Sequence, residues 1–404
     1  MLFNNIPRIT KNKELLNVEY KPKKIIGREK EMSDLAFRLS YFFGDYPTLP
    51  KVIIHGSTGT GKTTVVNYIL DEMKKEIKKQ KKQIKIIKLK GSDAKTKFEV
   101  IKQIIKGIDP SVHITKNTSE MRDKLIDLIK VNGTNLLIFI DEVHCVNPNE
   151  LNGILYFVSR LGEDLNYYGT EEKRLTENKK NVIGYILVSN EPNLLSLSNG
   201  KIQENTRSSI TKDKLIFSRY SPEEVFNIVK SRINEGALKK DAITDVAINK
   251  IAAYSVKEGE DSRYAILLLS KCCDYAEEKG LLKIEEEVVD GVNLKLKTNL
   301  LKEIIVDYPT LHKIILSCIY ELHKNKAIIN SKSIYELYLN HPLGGKIQYS
   351  RVSQIVTNLE KDSVVYVISK RNNRTLSIKE TQNEIFEVLS EDGYINGQPR
   401  KKTI

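Results

Sequence analysis

Short apolar segments alternate with helical patterns through the first half of the chain. Five of these segments are candidate strands, at residues 52–55, 84–89, 136–140, 182–188 and 214–217. Between most of them, apolar residues recur every three or four positions, as on the buried face of a helix. Alternating strands and helices fold into a parallel sheet covered by helices on both faces. The pattern therefore predicts an α/β domain.

The next part of the chain is predicted to be helical. Three helical periods follow one another from Ser221 to about Gly280, and the first opens with the helix-start sequence Ser-Pro-Glu-Glu. This pattern is typical of a small helical domain. A mixed connection at residues 283–299 follows, and we expect helices to resume beyond it.

The last part of the chain predicts a winged helix-turn-helix. Helical patterns cover residues 309–323, 332–340 and 348–362, and two alternating segments then flank residues 370–374. Such a pair of segments predicts a β-hairpin, here with an exposed basic tip. Three helices and a hairpin form the winged variant of the helix-turn-helix, which binds DNA or, alternatively, another protein.

Length and composition restrict the class of protein. The chain has 404 residues, 40% of them hydrophobic, which predicts two or three globular domains. No apolar run approaches the roughly 20 residues that span a bilayer, and the N-terminus lacks a signal-peptide core. We therefore expect a cytoplasmic protein without membrane contact. The cysteines lack zinc-site spacing, and we interpret all four as small hydrophobic residues. They are Cys145, Cys272, Cys273 and Cys318.

The formal net charge of +13 is unevenly distributed. Residues 74–90 contain nine lysines and one glutamate. We interpret this lysine run as a solvated helix end and turn, with a nucleic-acid contact as the alternative. A second basic stretch, at residues 344–379, covers the predicted winged helix and makes DNA a candidate partner.

The strongest motif lies between the first predicted strand and a predicted helix. The octet Gly56-Ser57-Thr58-Gly59-Thr60-Gly61-Lys62-Thr63 matches the P-loop pattern G-x-x-x-x-G-K-[ST] in full. Glycines let the backbone curl so that N–H groups point at phosphate oxygens, and the helix start adds its positive dipole end. We expect Lys62 to reach the β and γ phosphates of a nucleotide and Thr63 to ligate Mg²⁺.

A second motif follows the third predicted strand. Asp141 and Glu142 stand at the carboxyl end of that strand, where open α/β sheets bind ligands. With a P-loop in the same domain, we expect Asp141 to hold Mg²⁺ through water. Glu142 would orient and deprotonate the attacking water. We interpret His55 and His144 as strand-flanking or core histidines.

In this order the motifs resemble those of the AAA+ ATPases. The strand that ends in Ser189-Asn190 resembles the sensor 1 segment, and GEDSRYAILLLSKCCDYA resembles the sensor 2 helix. A closer similarity is to the archaeal-type replication initiators related to the origin recognition complex and its cell-division-cycle paralogue. It covers roughly residues 18–380 and is carried by EYKPKKIIGREKEMSDLA, LYFVSRLGEDL, TRSSITKDKLIFSRYSPEEV and GGKIQYSRVSQIVTNLEKDSVV.

The resemblance implies a fold. It is an α/β P-loop AAA+ domain with a parallel sheet at residues 1–219, followed by a small helical lid at 220–297 and a C-terminal winged-helix DNA-binding domain at 301–390. Residues 93–109 and 119–130 resemble a helical insertion by which such initiators contact DNA.

It also implies roles for site residues. Asn190 would position the attacking water or sense the γ phosphate, and Arg263 would contact the phosphates from the lid. Arg207 is the local candidate for an arginine finger acting in trans, because Asn205 stands where the family often has an arginine. Tyr20 and the turn at residues 26–29 resemble the segment around the adenine. The implied nucleotide-binding residues are Tyr20, Gly56, Ser57, Thr58, Gly59, Thr60, Gly61, Lys62, Thr63, Thr64 and Arg263.

The implied function is that of an ATP-regulated replication initiator, a slow ATPase that recognises origin DNA and helps to load the replicative helicase. Its cofactors would be ATP or ADP with Mg²⁺. Its partners would be double-stranded origin DNA, the replicative helicase and, on DNA, a second copy or a paralogue. The predicted DNA-contacting residues are Tyr349, Ser350, Arg351 and Gln354 of the recognition helix, and Arg371 and Arg374 of the wing.

Two other classes of protein share the same parts. One is a P-loop ATPase with a winged helix that regulates transcription or signalling, although this chain has no room for the usual additional domains. The other is a clamp-loader-like scaffold ATPase, which would hydrolyse ATP faster in an oligomer and bind DNA weakly by itself.

Overall fold

The chain folds into two compact units, Met1–Glu286 and Glu287–Ile404. The P-loop lies in the first unit and the predicted winged helix in the second. The computed structural model describes residues 8–133, 135–167, 181–191, 194–195, 202–210, 213–259, 261–362, 364–369, 375–378, 382–391 and 393–395.

The first unit is built around a parallel sheet with the strand order β2-β3-β4-β1-β5. All five predicted strands are confirmed. Because β4 lies between β1 and β3, the loop after β1 and the carboxylates that end β3 meet at the same edge of the sheet. The strands are β1 Lys51–Gly56, β2 Ile84–Lys90, β3 Asn135–Asp141, β4 Ile183–Ser189 and β5 Lys214–Phe217.

Helices cover both faces of this sheet. The two faces follow from the period of two along each strand. In β1, Val52 and Ile54 pack with α1 and α2, whereas Ile53 packs with α3, α4 and α5 on the opposite face. The predicted three-layer α/β architecture is therefore confirmed. The helices are α1 Glu29–Ser40, α2 Lys62–Gln80, α3 Lys97–Ile108, α4 Thr118–Val131, α5 Leu151–Tyr167 and α6 Glu204–Ser209.

Three helices complete the first unit, as the sequence predicts. They are α7 Pro222–Asn234, α8 Asp245–Glu258 and α9 Asp261–Glu278. Ser221 and Glu224 form a reciprocal capping box at the start of α7, which fixes where the chain leaves the sheet for the lid.

The second unit contains helices and a two-stranded antiparallel hairpin. The hairpin and the three helices predicted before it are confirmed, and α14 is an addition that the sequence analysis missed. The elements are α10 Glu286–Asp307, α11 Thr310–Lys324, α12 Ser331–Asn340, α13 Tyr349–Lys361, β6 Tyr366–Ser369, β7 Thr375–Ser377 and α14 Gln382–Glu391.

Two interpretations of the sequence were wrong. The mixed connection at residues 283–299 is largely helical, because α10 begins at Glu286 and runs on to Asp307. Its apolar residues do not fall on one stripe, since Val289 is buried and Leu294 is exposed, so the periodic signal is weak. Cys145 is exposed rather than packed as a small hydrophobe, because it ends a short 3₁₀ turn at the surface.

The lysine run is an exposed surface in the structure. Lys74, Lys75 and Lys79 pair with carboxylates three residues earlier on α2. Lys85, Lys88 and Lys90 of the edge strand β2 are exposed, as is common where a sheet must not pair with another chain. This geometry agrees with the interpretation of the run as solvated. Among the described helices, none is both long and apolar enough to cross a bilayer.

Candidate functional site

The P-loop forms a turn that admits no side chains at its glycines. Gly61 has φ of 83°, in the left-handed region, and a Cβ there would lie 2.5 Å from the Tyr220 hydroxyl oxygen. At Gly56, a Cβ would lie 2.4 Å from the carbonyl oxygen of Phe217 at the end of β5. The loop therefore packs closely against the end of β5 and the Tyr220 side chain, and α2 begins directly after it at Lys62.

Lys62 is buried, with 5% of its surface exposed. Its Nζ donates to the carbonyl oxygens of Gly56 and Ser57, at 2.9 and 2.5 Å. Burial lowers the pKa of Lys62 to about 8, against the opposing effect of the Asp141 carboxylate. The charges of Arg263 and Arg28 lower the pKa further. A polyphosphate would offset this concentration of positive charge.

Thr63 and Asp141 come together as predicted for a magnesium site. The Thr63 hydroxyl donates to a carboxylate oxygen of Asp141 at 3.2 Å. The same carboxylate oxygen accepts the backbone N–H of Glu142 at 3.0 Å. Burial raises the pKa of Asp141, so a nearby cation would favour its charged form. A hydroxyl and a carboxylate are the oxygen ligands that Mg²⁺ prefers when it keeps several waters, so the residues fit this ion.

Glu142 lies at the same edge of the sheet in a constrained backbone. Its φ of 50° is in the left-handed region, which is uncommon for a glutamate and is found at functional sites. A side-chain oxygen of Glu142 lies 3.5 Å from Nζ of Lys90. The carbonyl of Glu142 approaches so close that a Cβ at Gly91 would lie 2.2 Å from it. The end of β2 therefore helps to hold the candidate base.

Asn190 follows β4 and contacts His144, a residue that the sequence analysis gave no part in the site. The backbone N–H of Asn190 donates to Nδ1 of His144 at 3.3 Å, so the neutral ring carries its proton on Nε2. Nε2 lies 3.4 Å from the side-chain amide of Asn190. The atom of Asn190 in this second contact is its side-chain nitrogen Nδ2, so His144 contacts both the backbone and the side-chain amide of Asn190.

The lid approaches the P-loop through the start of α9. The hydroxyl of Ser262 donates to the carbonyl oxygen of Gly59 at 2.9 Å. Arg263, the next residue, is exposed, and its charge is close enough to lower the pKa of Lys62. The structure thus brings the sensor 2 candidate to the loop, and Ser262 is a contact that the motif did not indicate.

The remaining loop residues differ in exposure. Thr60 is buried and its hydroxyl donates to the Ser57 carbonyl at 2.9 Å, which closes the turn. Thr58 and Thr64 are exposed beside it. His55 lies within β1, where burial lowers the pKa of the imidazole.

Tyr20 lies against the far end of α7. Its hydroxyl donates to Glu235 at 3.1 Å, and the Arg232 guanidinium stacks 4.5 Å from its ring centroid. These contacts pack the N-terminal segment on the lid helix. The described contacts of Tyr20 do not include any with the P-loop, so its role at the base stays a prediction.

Arg207 lies on α6, away from the contacts that join the site residues. Its side chain is exposed, as a residue acting on a neighbouring copy must be. Arg160 of α5 donates to Ser209 at 3.2 Å and fixes the end of the same helix. The finger role stays a prediction.

The recognition-helix candidates lie in the first half of α13. Tyr349, Ser350, Arg351 and Gln354 are exposed. The buried face of the helix packs in the core of the second unit and contains Val352, Ile355, Val356 and Leu359. An Arg351 terminal nitrogen donates to the Gln354 side-chain oxygen at 2.7 Å. Arg371 and Arg374 lie outside the described residues.

Comparisons with known proteins match both halves of the first unit. A family model for an AAA domain matches residues 51–174, and a model for the Cdc6 AAA+ ATPase-type lid domain matches residues 226–293. An ORC1-type DNA replication protein of Desulfurococcus amylolyticus is 28% identical over 373 residues, covering 91% of this chain and 89% of that protein. One of Thermococcus kodakarensis is 26% identical, covering 92% and 88%.

Solved structures show the same fold. The Aeropyrum pernix Orc1 protein, solved in complex with DNA, matches with a TM-score of 0.73 at 20% identity and covers 98% of this chain and 99% of its own. The Aeropyrum pernix Orc2 protein, solved as ADPNP-ADP complexes, matches with a TM-score of 0.65 at 20% identity, covering 96% and 98%. The chain thus matches models of an AAA domain and of a Cdc6-type lid, and it is similar along nearly its whole length to ORC1-type DNA replication proteins.

Proposed function

We propose that this protein is an ATP-regulated DNA-binding replication initiator. It recognises origin DNA in double-stranded form and helps to load the replicative helicase, acting on DNA with a second copy or a paralogue. One observation carries the proposal above all. A P-loop with its acidic partner and a Cdc6-type lid stand on the same chain as a helix that exposes tyrosine, arginine and glutamine from a winged helix-turn-helix.

The relatives support this choice over a transcriptional regulator or a scaffold ATPase. The similar curated proteins are named ORC1-type DNA replication proteins, and the similar Aeropyrum pernix Orc1 was solved with DNA. Both matches extend over the ATPase, lid and winged-helix segments, so the likeness includes the parts that contact nucleotide and DNA in our proposal.

The nucleotide reaction follows from the positions of the chain's own groups. The P-loop N–H groups and Lys62 would bind the phosphates of ATP, and Thr63 and Asp141 would hold Mg²⁺, which would neutralise charge on the phosphate oxygens. Glu142 accepts a proton from the attacking water, whose oxygen attacks the γ phosphorus as the bond to the ADP oxygen breaks. Asn190 donates from its amide to the γ phosphate or the water, and Arg263 contacts the phosphates from the lid.

We expect slow turnover and a role as a switch. Ser262 of the lid donates to the P-loop carbonyl of Gly59 and the charge of Arg263 acts on Lys62, so ATP and ADP would favour different lid positions. A change of lid position would then alter how the DNA-contacting residues meet DNA. The protein would work in the cytoplasm, on the nucleoid.

The nucleotide part of the proposal is tested with purified protein. We expect tightly bound ADP on extraction and binding of added ATP or ADP with Mg²⁺ by titration calorimetry. Glu142→Gln is expected to bind ATP normally and to lose hydrolysis, because it removes the base and keeps Asp141. Glu163→Gln, on the exposed surface of α5, is the matched control. The absence of any adenine nucleotide and of any binding would contradict the proposal, and normal hydrolysis by Glu142→Gln would remove the role of Glu142.

A further inference from the structure

Arg28 is a buried cation, 3% exposed, just before α1. Its Nε donates to the carbonyl oxygen of Thr60 in the P-loop at 2.9 Å. One terminal nitrogen donates to the carbonyl oxygen of Ser218 at 2.6 Å. The other donates to the carbonyl oxygen of Gly27 at 2.9 Å and lies 3.5 Å from Glu31. A single planar group thus joins three backbone segments.

The position of Ser218 in the chain gives this contact its importance. Strand β5 ends at Phe217 and the first lid helix begins at Pro222, so Ser218 opens the connection between the sheet and the lid. Tyr220 lies in the same connection, and its ring centroid is 3.7 Å from the guanidinium carbon of Arg28. Its hydroxyl oxygen also occupies the space beside Gly61. The sheet–lid connection is therefore held against two consecutive P-loop residues.

The burial of Arg28 restricts how far the segments that it joins can move apart. A buried guanidinium is costly unless its N–H groups are hydrogen-bonded, so the bonds to the loop and to the connection must be kept together. A shift of about 1 Å between the two segments would lengthen one of these bonds beyond hydrogen-bonding distance. The P-loop and the start of the lid can then move as one body but not independently.

We propose that Arg28 is a positioning residue that transmits the state of the P-loop to the lid through the connection at residues 218–221. This inference rests on the proposed function, because it requires nucleotide at the P-loop. Phosphates held by the loop N–H groups fix the backbone at Thr60 and Gly61. Arg28 and Tyr220 pass this constraint to the base of α7, and so to the lid that carries Arg263. By linkage, a change of lid position alters nucleotide affinity in return.

This role is different from that of Arg263. Arg263 is exposed on α9 and would contact the nucleotide itself, whereas Arg28 is directed at backbone carbonyls on both sides. Arg28→Lys keeps the positive charge, but a single ammonium cannot reproduce the fork that spans two carbonyls. It therefore separates the charge of Arg28 from its bridging geometry.

Arg38→Lys is the matched control. Arg38 lies on α1, which begins directly after Arg28, and pairs with Asp213 just before β5, so it joins α1 to the same strand away from the P-loop. The measurement is hydrogen–deuterium exchange of the full-length protein with and without ADP or a non-hydrolysable ATP analogue and Mg²⁺. Peptides that cover residues 56–63 and 218–224 are compared, and affinity, kcat and KM are determined in parallel.

We expect nucleotide to protect both segments in the wild type and in Arg38→Lys. In Arg28→Lys, protection at 56–63 and an affinity within about threefold are expected to remain, while protection at 218–224 is lost and kcat falls about tenfold with KM little changed. If Arg28→Lys does not fold, Tyr220→Leu removes the stacked ring and is expected to reduce the protection at 218–224 in the same way.

Three results are distinguishable. Full protection at 218–224 in the folded variants would overturn the inference. A loss of nucleotide affinity that matches the loss of turnover would overturn it too, because Arg28 would then be a simple binding residue. Failure of the wild type to bind nucleotide would overturn the proposed function instead.

Discussion

At the scale of single residues, the candidate phosphate site places like charges close together in a buried setting. Lys62 has its pKa lowered to about 8, chiefly by burial, and Arg28 and Arg263 add to the effect. The nucleotide-free protein therefore keeps Lys62 charged at a cost on the order of 3 kcal/mol, which bound phosphates would offset. The site therefore lowers the stability of the nucleotide-free protein and favours the binding of phosphates.

Lys62→Met is consequently expected to leave the nucleotide-free protein at least as stable as the wild type at pH 7, while abolishing stabilisation by nucleotide. The folded state disfavours the charged form of Lys62. The resulting loss of folding stability is therefore full below pH 8 and disappears as the pH rises from 8 toward 10.5. The advantage of Lys62→Met should shrink over the same interval. Chemical denaturation with and without ADP and Mg²⁺ checks this, and a variant that is less stable at pH 7 yet equally stabilised by ADP would refute it.

His144 gives a second expectation at this scale. Replacing it by phenylalanine removes the acceptor for the Asn190 backbone N–H and the ring nitrogen that contacts its side-chain amide, so Asn190 loses its fixed orientation. We expect kcat for ATP hydrolysis to fall about tenfold to a hundredfold with ATP affinity nearly unchanged. His113→Phe, on an exposed loop, is the control. Normal turnover in His144→Phe would show that Asn190 does not depend on the ring.

At the scale of elements, the strands, lid helices and winged helix follow from local pattern, because apolar period and capping residues act within a few positions. Ser221 and Glu224, for example, indicate the start of α7 in the sequence itself. Helix α10 was not predicted because its apolar residues do not form a single stripe with a helical period: some, such as Val289, are buried and others, such as Leu294, are exposed. The roles of Arg28 and His144 escaped for another reason: their partners Ser218 and Asn190 are 190 and 46 residues away, and the fold alone brings them together.

The predicted recognition helix α13 and the predicted wing give the expectation at the scale of elements, which concerns DNA binding. Arg351→Ala should weaken binding to specific DNA by about 1 to 3 kcal/mol and leave non-specific binding nearly intact, if the arginine contacts a base edge. Replacing Arg371 and Arg374 together should weaken binding to all duplexes and reduce the salt slope by roughly 0.9 per lost phosphate contact. Fluorescence anisotropy on specific and scrambled duplexes over a salt series separates the two effects.

Alanine variants in the lysine run provide the control for these measurements. Lysines that are solvated and paired with carboxylates on α2 should affect DNA binding little at moderate salt. Unchanged affinity and salt slope in the Arg371 and Arg374 variant would favour a winged helix that contacts protein. DNA binding would then be assigned to the helical pair α3 and α4.

At the scale of the whole molecule, one chain carries the candidate nucleotide site and the predicted DNA-contacting helix α13. The sheet edge assembles Lys62, Asp141, Glu142 and Asn190, and the lid adds Ser262 and Arg263. Arg28 and Tyr220 then connect this edge to the base of the lid. A site built this way is suited to report which nucleotide it holds, because the bound phosphates and the lid share the same backbone segments.

Footprinting of the full-length protein on the replication-origin region of its source genome tests this claim most directly. The experiment uses wild type and Glu142→Gln, each loaded with ADP or with ATP and Mg²⁺. We predict discrete protected sites in the origin region, lost in the Arg351→Ala variant, whose extent differs between the ADP and ATP states. Protection that is absent from the origin, or that is identical in every nucleotide state, would contradict an ATP-regulated initiator.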